Sequence, residues 1–164
     1  MTTETIEAEV TETIEVKDEK TIRLEKAGEL IASASRWSVG ASLIPLPYVD
    51  LAALASVQAN LIVDISKLYG HKASKEAVKG VITVLLGTMI PAGASHVAAG
   101  ALAKFIPVVG SVAGAISLAA FGSAATYAVG KVFVRHFEQG GTLDNFSTEA
   151  VQADLKKEFA SASA

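Results

Sequence analysis

Few side chains in this 164-residue sequence have the types and spacing that catalysis or metal binding requires. His96 would need partner ligands to hold haem or a metal, and neither His71 nor His136 is placed to join it on one helix face. Asp50 and Asp64 project in similar directions from one predicted helix, but no third ligand or base converges on them. We therefore expect a hydrogen-bonded histidine within a helical bundle and a solvated or hydrogen-bonded acidic face.

Nucleophilic and nucleotide chemistry are also unsupported. The sequence contains no cysteine, which excludes disulfides, thiolate metal sites and cysteine catalysis. Gly130 and Lys131 do not form a phosphate-binding loop. The pair lacks both the upstream glycine and the following hydroxyl residue of that motif. The sequence thus predicts a protein that is not an enzyme and binds no cofactor. Any nucleotide hydrolysis would belong to a partner.

Acidic residues are concentrated at the start of the chain. Residues 1–20 contain seven acidic side chains and two lysines, whereas residues 21–164 contain twelve basic and ten acidic side chains. This body lacks the clustered positive charge that nucleic acids require, so we expect no nucleic-acid partner. Alternating Thr, Ile, Val and Glu leaves two interpretations of the tail open: a disordered solvated segment, or a strand that pairs with a partner or with its own copies.

The remaining residues, 21–164, have helical periodicity and predict one all-α domain. Apolar residues three and four positions apart predict a helix from about residue 21, a second over about 48–69 and an amphipathic helix over about 147–160. Turn residues separate these helices: Pro45 and Pro47 as an elbow, Gly70 and Gly140–Gly141 as C-terminal stops, and Ser74 and Ser147 as N-caps.

An uncharged run over residues 80–130 dominates the middle of the chain, and Lys104 is its only fixed charge. Lys104 divides it into segments of 24 and 26 residues, about 36 and 39 Å as helices, which exceed the roughly 30 Å hydrocarbon core of a bilayer. The run therefore predicts a membrane-embedded helical hairpin. Four residues are predicted to lie at the membrane interface: Trp37, Lys104, Lys131 and Arg135. For Trp37 a position in the helical core is the other interpretation, and its place near one apolar face of the first helix favours it.

Basic residues on both sides of the hairpin predict that both chain termini are cytoplasmic. The many small residues and Pro91, which interrupts the first segment, leave a second interpretation open, in which the hairpin is buried in a bundle outside the membrane. Rows of small residues let helix backbones approach closely. The glycines predicted to serve helix packing or oligomerisation are Gly87, Gly110, Gly114 and Gly122.

Two Ile-Pro pairs open helices after elbows, at Pro45 and at Pro107. Together with SKEAVKGVITVLLG (74–87) and the HFEQGGTL sequence within residues 105–143, they resemble an uncharacterised bacterial helical domain. That domain is found in YcjF-like inner-membrane proteins and fused to some small GTPases. The resemblance implies a membrane-associated helical domain that sometimes works beside a GTPase, and it implies no established activity. The acidic tail departs from what the family leads us to expect.

Two functions are consistent with these features. The leading hypothesis is a non-enzymatic membrane protein that self-assembles as a scaffold or membrane-organising subunit, with membrane lipids, its own copies and a GTPase or other protein as partners. The alternative is a soluble cytoplasmic bundle that binds a lipid, another hydrophobic ligand or a protein partner.

Overall fold

The structure, a computed structural model, describes residues 3–41, 49–89 and 112–163. All regular structure in these ranges is helical, which confirms the predicted all-α bundle. The five helices are α1 (Thr3–Ala41), α2 (Val49–Leu68), α3 (Lys75–Met89), α4 (Val112–Glu138) and α5 (Thr148–Ser163).

Helix α4 is the centre of the bundle. Between Ala124 and Val134 every side chain is buried except those of Tyr127 and Lys131, which are half-buried. A helix without a polar face has to be surrounded by other helices. The helices α1, α2 and α5 pack around α4, and α3 packs on α2 and α5.

Each of the five helices contributes to one hydrophobic core. The apolar stripe predicted for the last helix is confirmed, because Leu155 is fully buried while Val151 and Phe159 are partly buried against the core. The largest fully buried apolar side chains come from α2, α3, α4 and α5: Ile62, Ile65, Ile82, Leu85, Phe133 and Leu155.

Local sequence signals account for two of the tight connections. Gly70 has a positive φ of 75° just after α2, and Gly140 has a φ of 78° just after α4. The Ser74 hydroxyl accepts the N–H of Ala77 at 3.2 Å. The Ser147 hydroxyl accepts the N–H of Ala150 at 3.2 Å. The predicted C-terminal stops and N-caps are thus confirmed.

Many described residues of the predicted hairpin are buried in the bundle. Ile82 and Leu85 on α3 are 1% and 0% exposed, and Ala125 and Val129 on α4 are both 0% exposed. Packing against neighbouring helices therefore explains why these positions carry no charge. Across the described residues, no helix has the length and apolar character needed to cross a bilayer. The embedded hairpin that the sequence predicts is not found in this part of the chain.

The acidic start of the chain is helical. Helix α1 begins at Thr3, so residues 3–20 form neither a strand nor a disordered segment. Glutamate is a good helix former, and acidic side chains near a helix N-terminus interact favourably with the helix dipole. These preferences outweigh the two-residue alternation that suggested a strand.

Close packing at one glycine generates a test of the core. A Cβ atom at Gly130 would lie 2.7 Å from Cγ1 of Ile31 and 3.3 Å from Cδ2 of Leu61, whereas a Cβ at Gly80 would have no neighbour within 4 Å. We expect Gly130→Ala to lower the free energy of unfolding by about 1–3 kcal/mol through overpacking. Gly80→Ala is the matched control and should raise it by about 0.5–1 kcal/mol through helix propensity. Urea denaturation followed by circular dichroism measures both, and a Gly130→Ala protein as stable as the control would contradict this packing.

Candidate functional site

The carboxylate of Glu138, the last residue of α4, contacts side chains of α1 and of the residue that follows α2. The carboxylate lies 3.3 Å from Nζ of Lys20 and 3.3 Å from Nε of Arg23, both on α1. The hydroxyl of Tyr69, just after α2, donates to Oε1 of Glu138 at 2.7 Å. The Arg23 guanidinium also lies over the Tyr69 ring, 5.2 Å from its centroid. We call these four residues the Glu138 clamp.

The electrostatics of the Glu138 clamp favour a structural role. Burial alone would raise the pKa of the Glu138 carboxyl, but hydrogen bonds from Tyr69, Arg23 and Lys20 outweigh it and lower the pKa. Burial and the hydrogen bond to Glu138 raise the pKa of the Tyr69 hydroxyl well above its usual range. The carboxylate therefore stays ionised and the phenol stays protonated near neutral pH. Neither group is suited to exchange protons with a substrate.

The HFEQGGTL sequence forms the turn between α4 and α5. Nε2 of His136 lies 2.8 Å from the carbonyl oxygen of Thr142 and 3.1 Å from Oδ1 of Asn145. Both partners accept hydrogen bonds, so Nε2 carries the hydrogen. A Cβ at Gly141 would collide with the His136 ring, and the Phe146 ring stacks on the core. His136 is therefore hydrogen-bonded within this turn, whereas His96, for which a hydrogen-bonded role was expected, lies outside the described residues.

Arg135 attaches α5 to α4. Its guanidinium donates to Asp154 and to Glu158, each at 2.6 Å. These hydrogen bonds raise the pKa of Arg135 above its already high usual value. Arg135 lies one turn from the Glu138 clamp, and half-buried Lys131 lies one turn further along α4. Both predicted interface residues are therefore in the half of α4 that leads to the clamp.

A second polar cluster is buried about four turns of α1 away from the clamp. Gln58 Nε2 donates to Thr126 Oγ1 at 3.3 Å, Thr126 Oγ1 is 2.7 Å from Ser38 Oγ, and Ser38 Oγ donates to the Ala34 carbonyl at 2.9 Å. Gln58, Thr126 and Ser38 are all fully buried. Among the described residues, the amide oxygen of Gln58 has no hydrogen-bond partner. The cluster links α1, α2 and α4 but brings together no nucleophile and base.

Sequence reasoning did not identify this cluster. A signal was present, because Gln58 follows Leu54 by four residues and precedes Leu61 by three, within the apolar stripe. A polar residue at a core position predicts a buried hydrogen-bond partner.

The end of the bundle beyond this cluster is apolar. Here α1 and α3 end while α2 and α4 begin, and we call it the apolar end; the end that carries the Glu138 clamp is the polar end. Trp37 and Val39 of α1 are 70% and 38% exposed, and Phe121 of α4 is 44% exposed. Val39 and Phe121 line a groove of about 440 Å³ with Phe159, whose ring meets that of Phe121 edge-to-face at 5.3 Å.

A larger groove follows the seam between α1 and α2. Its wider part has a volume of about 830 Å³, and a part of about 380 Å³ extends it toward Trp37 and Val57. Partly buried Leu30 and buried Leu61 line it, and Lys67 is paired with Asp64 at 3.0 Å on its rim. The charged residues that line the wider part are of both signs: Lys26, Glu29, Arg36, Asp64 and Lys67.

The structure does not bring the predicted site residues together. Trp37 is exposed at the apolar end, and Gly122 is buried in α4. Gly87 lies in α3 and Gly114 in α4, and the surroundings of both are outside the described part of the chain. Within that part, no three histidine or carboxylate side chains are grouped as metal ligands. The other predicted residues lie outside the described residues, as does His96: Pro45, Pro47, Lys104, Pro107 and Gly110.

Comparison with known proteins identifies the family of this helical bundle. Residues 7–163 match the family described as a domain of unknown function, DUF697. The chain belongs to the DUF697 family. No solved structure matches it.

The DUF697 chain is also similar to magnetosome membrane protein 22 of Magnetospirillum gryphiswaldense. The two are 39% identical over 122 residues, which are 74% of this chain and 63% of that protein. The match therefore spans less than two thirds of the relative's length.

The Glu138 clamp predicts a pH-dependent contribution to the stability of this DUF697 protein. Replacing Glu138 with Gln should lower the free energy of unfolding by about 1.5–3 kcal/mol at pH 7, because charge-assisted hydrogen bonds are lost. The folded pKa lies below the unfolded value, so this stabilisation is complete above the unfolded pKa of about 4.3 and is lost as the pH falls through the folded pKa. Denaturation of both proteins at a series of pH values measures it.

The matched control is Asp64→Asn, which removes an exposed pair whose carboxylate is 48% exposed. Its cost should be at most about 0.5 kcal/mol at pH 7. If the two variants lose equal free energies of unfolding, or if the loss in Glu138→Gln does not become smaller at acid pH, the stabilising role of the Glu138 clamp is contradicted.

The buried polar cluster predicts unequal effects of two apolar replacements. Thr126→Val keeps the shape but removes the acceptor of the Gln58 amide, and should cost about 1–3 kcal/mol. Gln58→Met keeps the volume and removes an unpaired buried oxygen, so it should stay within about 1 kcal/mol of the wild type. Urea denaturation of the two variants compares them. A larger cost for Gln58→Met would show that the amide oxygen has a partner of its own.

Proposed function

We propose that this DUF697 protein is a non-enzymatic, membrane-associated helical scaffold whose apolar end meets the bilayer. One observation carries the proposal. The uncharged sequence over residues 80–130 begins on α3 and finishes on α4, and α3 ends and α4 begins at the end of the bundle opposite the Glu138 clamp. Its described parts contribute side chains to the core, so membrane contact is proposed for the uncharged residues between them, which contain one fixed charge, Lys104.

The similarity to a magnetosome membrane protein supports this location. The matched region covers 74% of this chain, so the similarity concerns most of the helical domain. The proposed location is the bacterial inner membrane, with both termini in the cytoplasm as the flanking basic residues predict.

The roles of the ionisable side chains support a scaffold rather than an enzyme. Glu138, Tyr69 and Arg135, whose pKa values are shifted, are engaged in contacts between helices. Shifted pKa values at a catalytic site would instead face a substrate cleft. We further propose self-association through the small residues of the uncharged run, and a GTPase or other protein as partner. The GTPase partner is supported by the family resemblance alone.

The groove between α1 and α2 favours a second candidate function. Leu30 and Leu61 give it an apolar lining beside charged rim residues, and its wider part has a volume of about 830 Å³. Apolar clefts with a few polar groups at the edge are typical of small-molecule sites. A bundle outside the membrane that binds a lipid, another hydrophobic ligand or a protein partner is therefore the alternative.

Carbonate extraction separates the two functions. We expect the wild-type protein to stay with the membrane pellet when membranes of expressing cells are washed at alkaline pH. Replacing Val108 and Val109 with Asp should move it largely to the supernatant, because added charges in the uncharged run oppose its transfer from water into a bilayer. Val16→Asp, at the exposed polar end, is the control and should stay in the pellet. A wild-type protein released by carbonate would contradict insertion and favour the alternative.

A further inference from the structure

We infer that the bundle stands end-on against the bilayer, with Trp37, Val39 and Phe121 forming a rim among the lipid headgroups and the Glu138 clamp facing the aqueous side. This orientation, which rests on the proposed membrane association, specifies the contacting surface. Three features of the described residues support it: the spacing of the two polar clusters, the distribution of charge along the helices and the position of the exposed aromatic side chains.

The two polar clusters mark two levels along the bundle. On α1, fifteen residues separate Arg23 in the Glu138 clamp from Ser38 in the buried cluster. On α4, twelve residues separate Glu138 from Thr126. At 1.5 Å per residue these intervals are roughly 18–22 Å of helix. Trp37 and Val39 are therefore at the level of the buried cluster, and Phe121 lies beyond it, at the apolar end.

Charge is absent from the described side chains beyond this level. The last charged residue before the apolar end is Arg36 on α1, Asp64 on α2 and Lys79 on α3. On α4 it is Lys131, and on α5 it is Glu158. A side surface of an ordinary bundle would alternate apolar and charged residues along each helix, whereas here the helices lose their charges toward the same end.

Asp50 is an exception in the sequence, because it lies in the first turn of α2 at the apolar end. A carboxylate at a helix N-terminus is favoured by the helix dipole, which lowers the cost of a charge at this level.

The exposed side chains at this end are of the types that membrane interfaces select. Tryptophan has an apolar body and a polar N–H, and is enriched where headgroups meet hydrocarbon. Trp37 and Phe121 project from different helices, so the rim surrounds the end of the bundle rather than lining one groove. Exposed Val16, Ile22 and Leu24 lie close to the level of the Glu138 clamp on α1, among charged neighbours.

A bilayer fits this end better than a protein partner does. Helix α3 ends and α4 begins at the apolar end, and the sequence between them, residues 90–111, contains one charge, Lys104. A lipid surface accommodates exposed side chains from different helices without a matching shape, whereas a protein partner would need a complementary cavity for them.

The acidic part of α1 favours the same orientation. Residues 3–19 precede the Glu138 clamp and contain seven acidic residues against Lys17. Residues 16–20 are all exposed. As a helix this segment is about 25 Å long. The cytoplasmic leaflet is negatively charged, so repulsion disfavours any orientation that lays this segment on the lipid.

Trp37 is the only tryptophan of the chain, so its fluorescence reports on one position. The full-length protein is reconstituted into vesicles of phosphatidylethanolamine and phosphatidylglycerol, and flotation measures its association with lipid. With vesicles, we expect the emission of Trp37 to shift to shorter wavelength and its quenching by acrylamide to fall several-fold. Lipids brominated on the acyl chain near the headgroup should quench it.

Two variants move the single tryptophan along the bundle. Trp37→Phe combined with Phe121→Trp keeps the indole at the apolar end, and it should be protected from acrylamide as Trp37 is. Trp37→Phe combined with Val16→Trp moves it to the exposed polar end, where acrylamide should quench it equally with and without vesicles. Circular dichroism confirms that each variant is helical.

The outcomes distinguish the orientation from membrane association itself. Flotation with protection at positions 37 and 121 and not at 16 supports the end-on orientation. Flotation with equal protection at positions 16, 37 and 121, or with protection at 16 alone, overturns the orientation and leaves the proposed function standing. A protein that does not float with vesicles overturns the proposed function, and the orientation with it.

Discussion

The burial of α4 on all sides is the constraint on which the other helices depend. From Ala124 to Val134 the side chains of α4 are buried or half-buried, so this part of the helix has no exposed face and other helices must cover it. Gly130 lets Ile31 of α1 and Leu61 of α2 come within van der Waals distance of the α4 backbone. A larger side chain at this point would separate the three helices and open the core between them.

The enclosure of α4 also restricts where along the bundle its charged side chains can lie. Because the middle of α4 is enclosed, its charged residues can be paired only near its C-terminal end, where Arg135 reaches α5 and Glu138 reaches α1 and Tyr69. Three polar side chains in the interior, Ser38, Gln58 and Thr126, are joined by hydrogen bonds. The result is a bundle with a charged end and an uncharged end, which is the asymmetry that the proposed function uses.

The features that the sequence predicted well are local. Ser74 and Ser147 cap helices through contacts three residues away, and Gly70 and Gly140 adopt positive φ for reasons that their immediate neighbours supply. The interpretation of the acidic segment failed because alternation over a few residues competes with helix propensity, and α1 continues it as one helix from Thr3.

The uncharged run over residues 80–130 shows which question amino-acid composition does not answer: whether a buried residue contacts lipid or protein. Small and apolar residues are expected both in lipid and in a crowded helical core, and Ala125 and Val129 proved to be core residues. Composition specifies that a side chain avoids water, and does not specify whether protein or lipid replaces that water.

The sequence by itself determined the helical character that the described residues show, where several of the turns lie, and that residues 80–130 contain one fixed charge, Lys104. Only the tertiary structure decided that Arg23 pairs with Glu138, 115 residues away, and that Thr126 meets Ser38, 88 residues away. The physical reason is the range of the interactions. Caps and propensities act over one helical turn, whereas ion pairs and buried hydrogen bonds join residues that meet only when the helices pack.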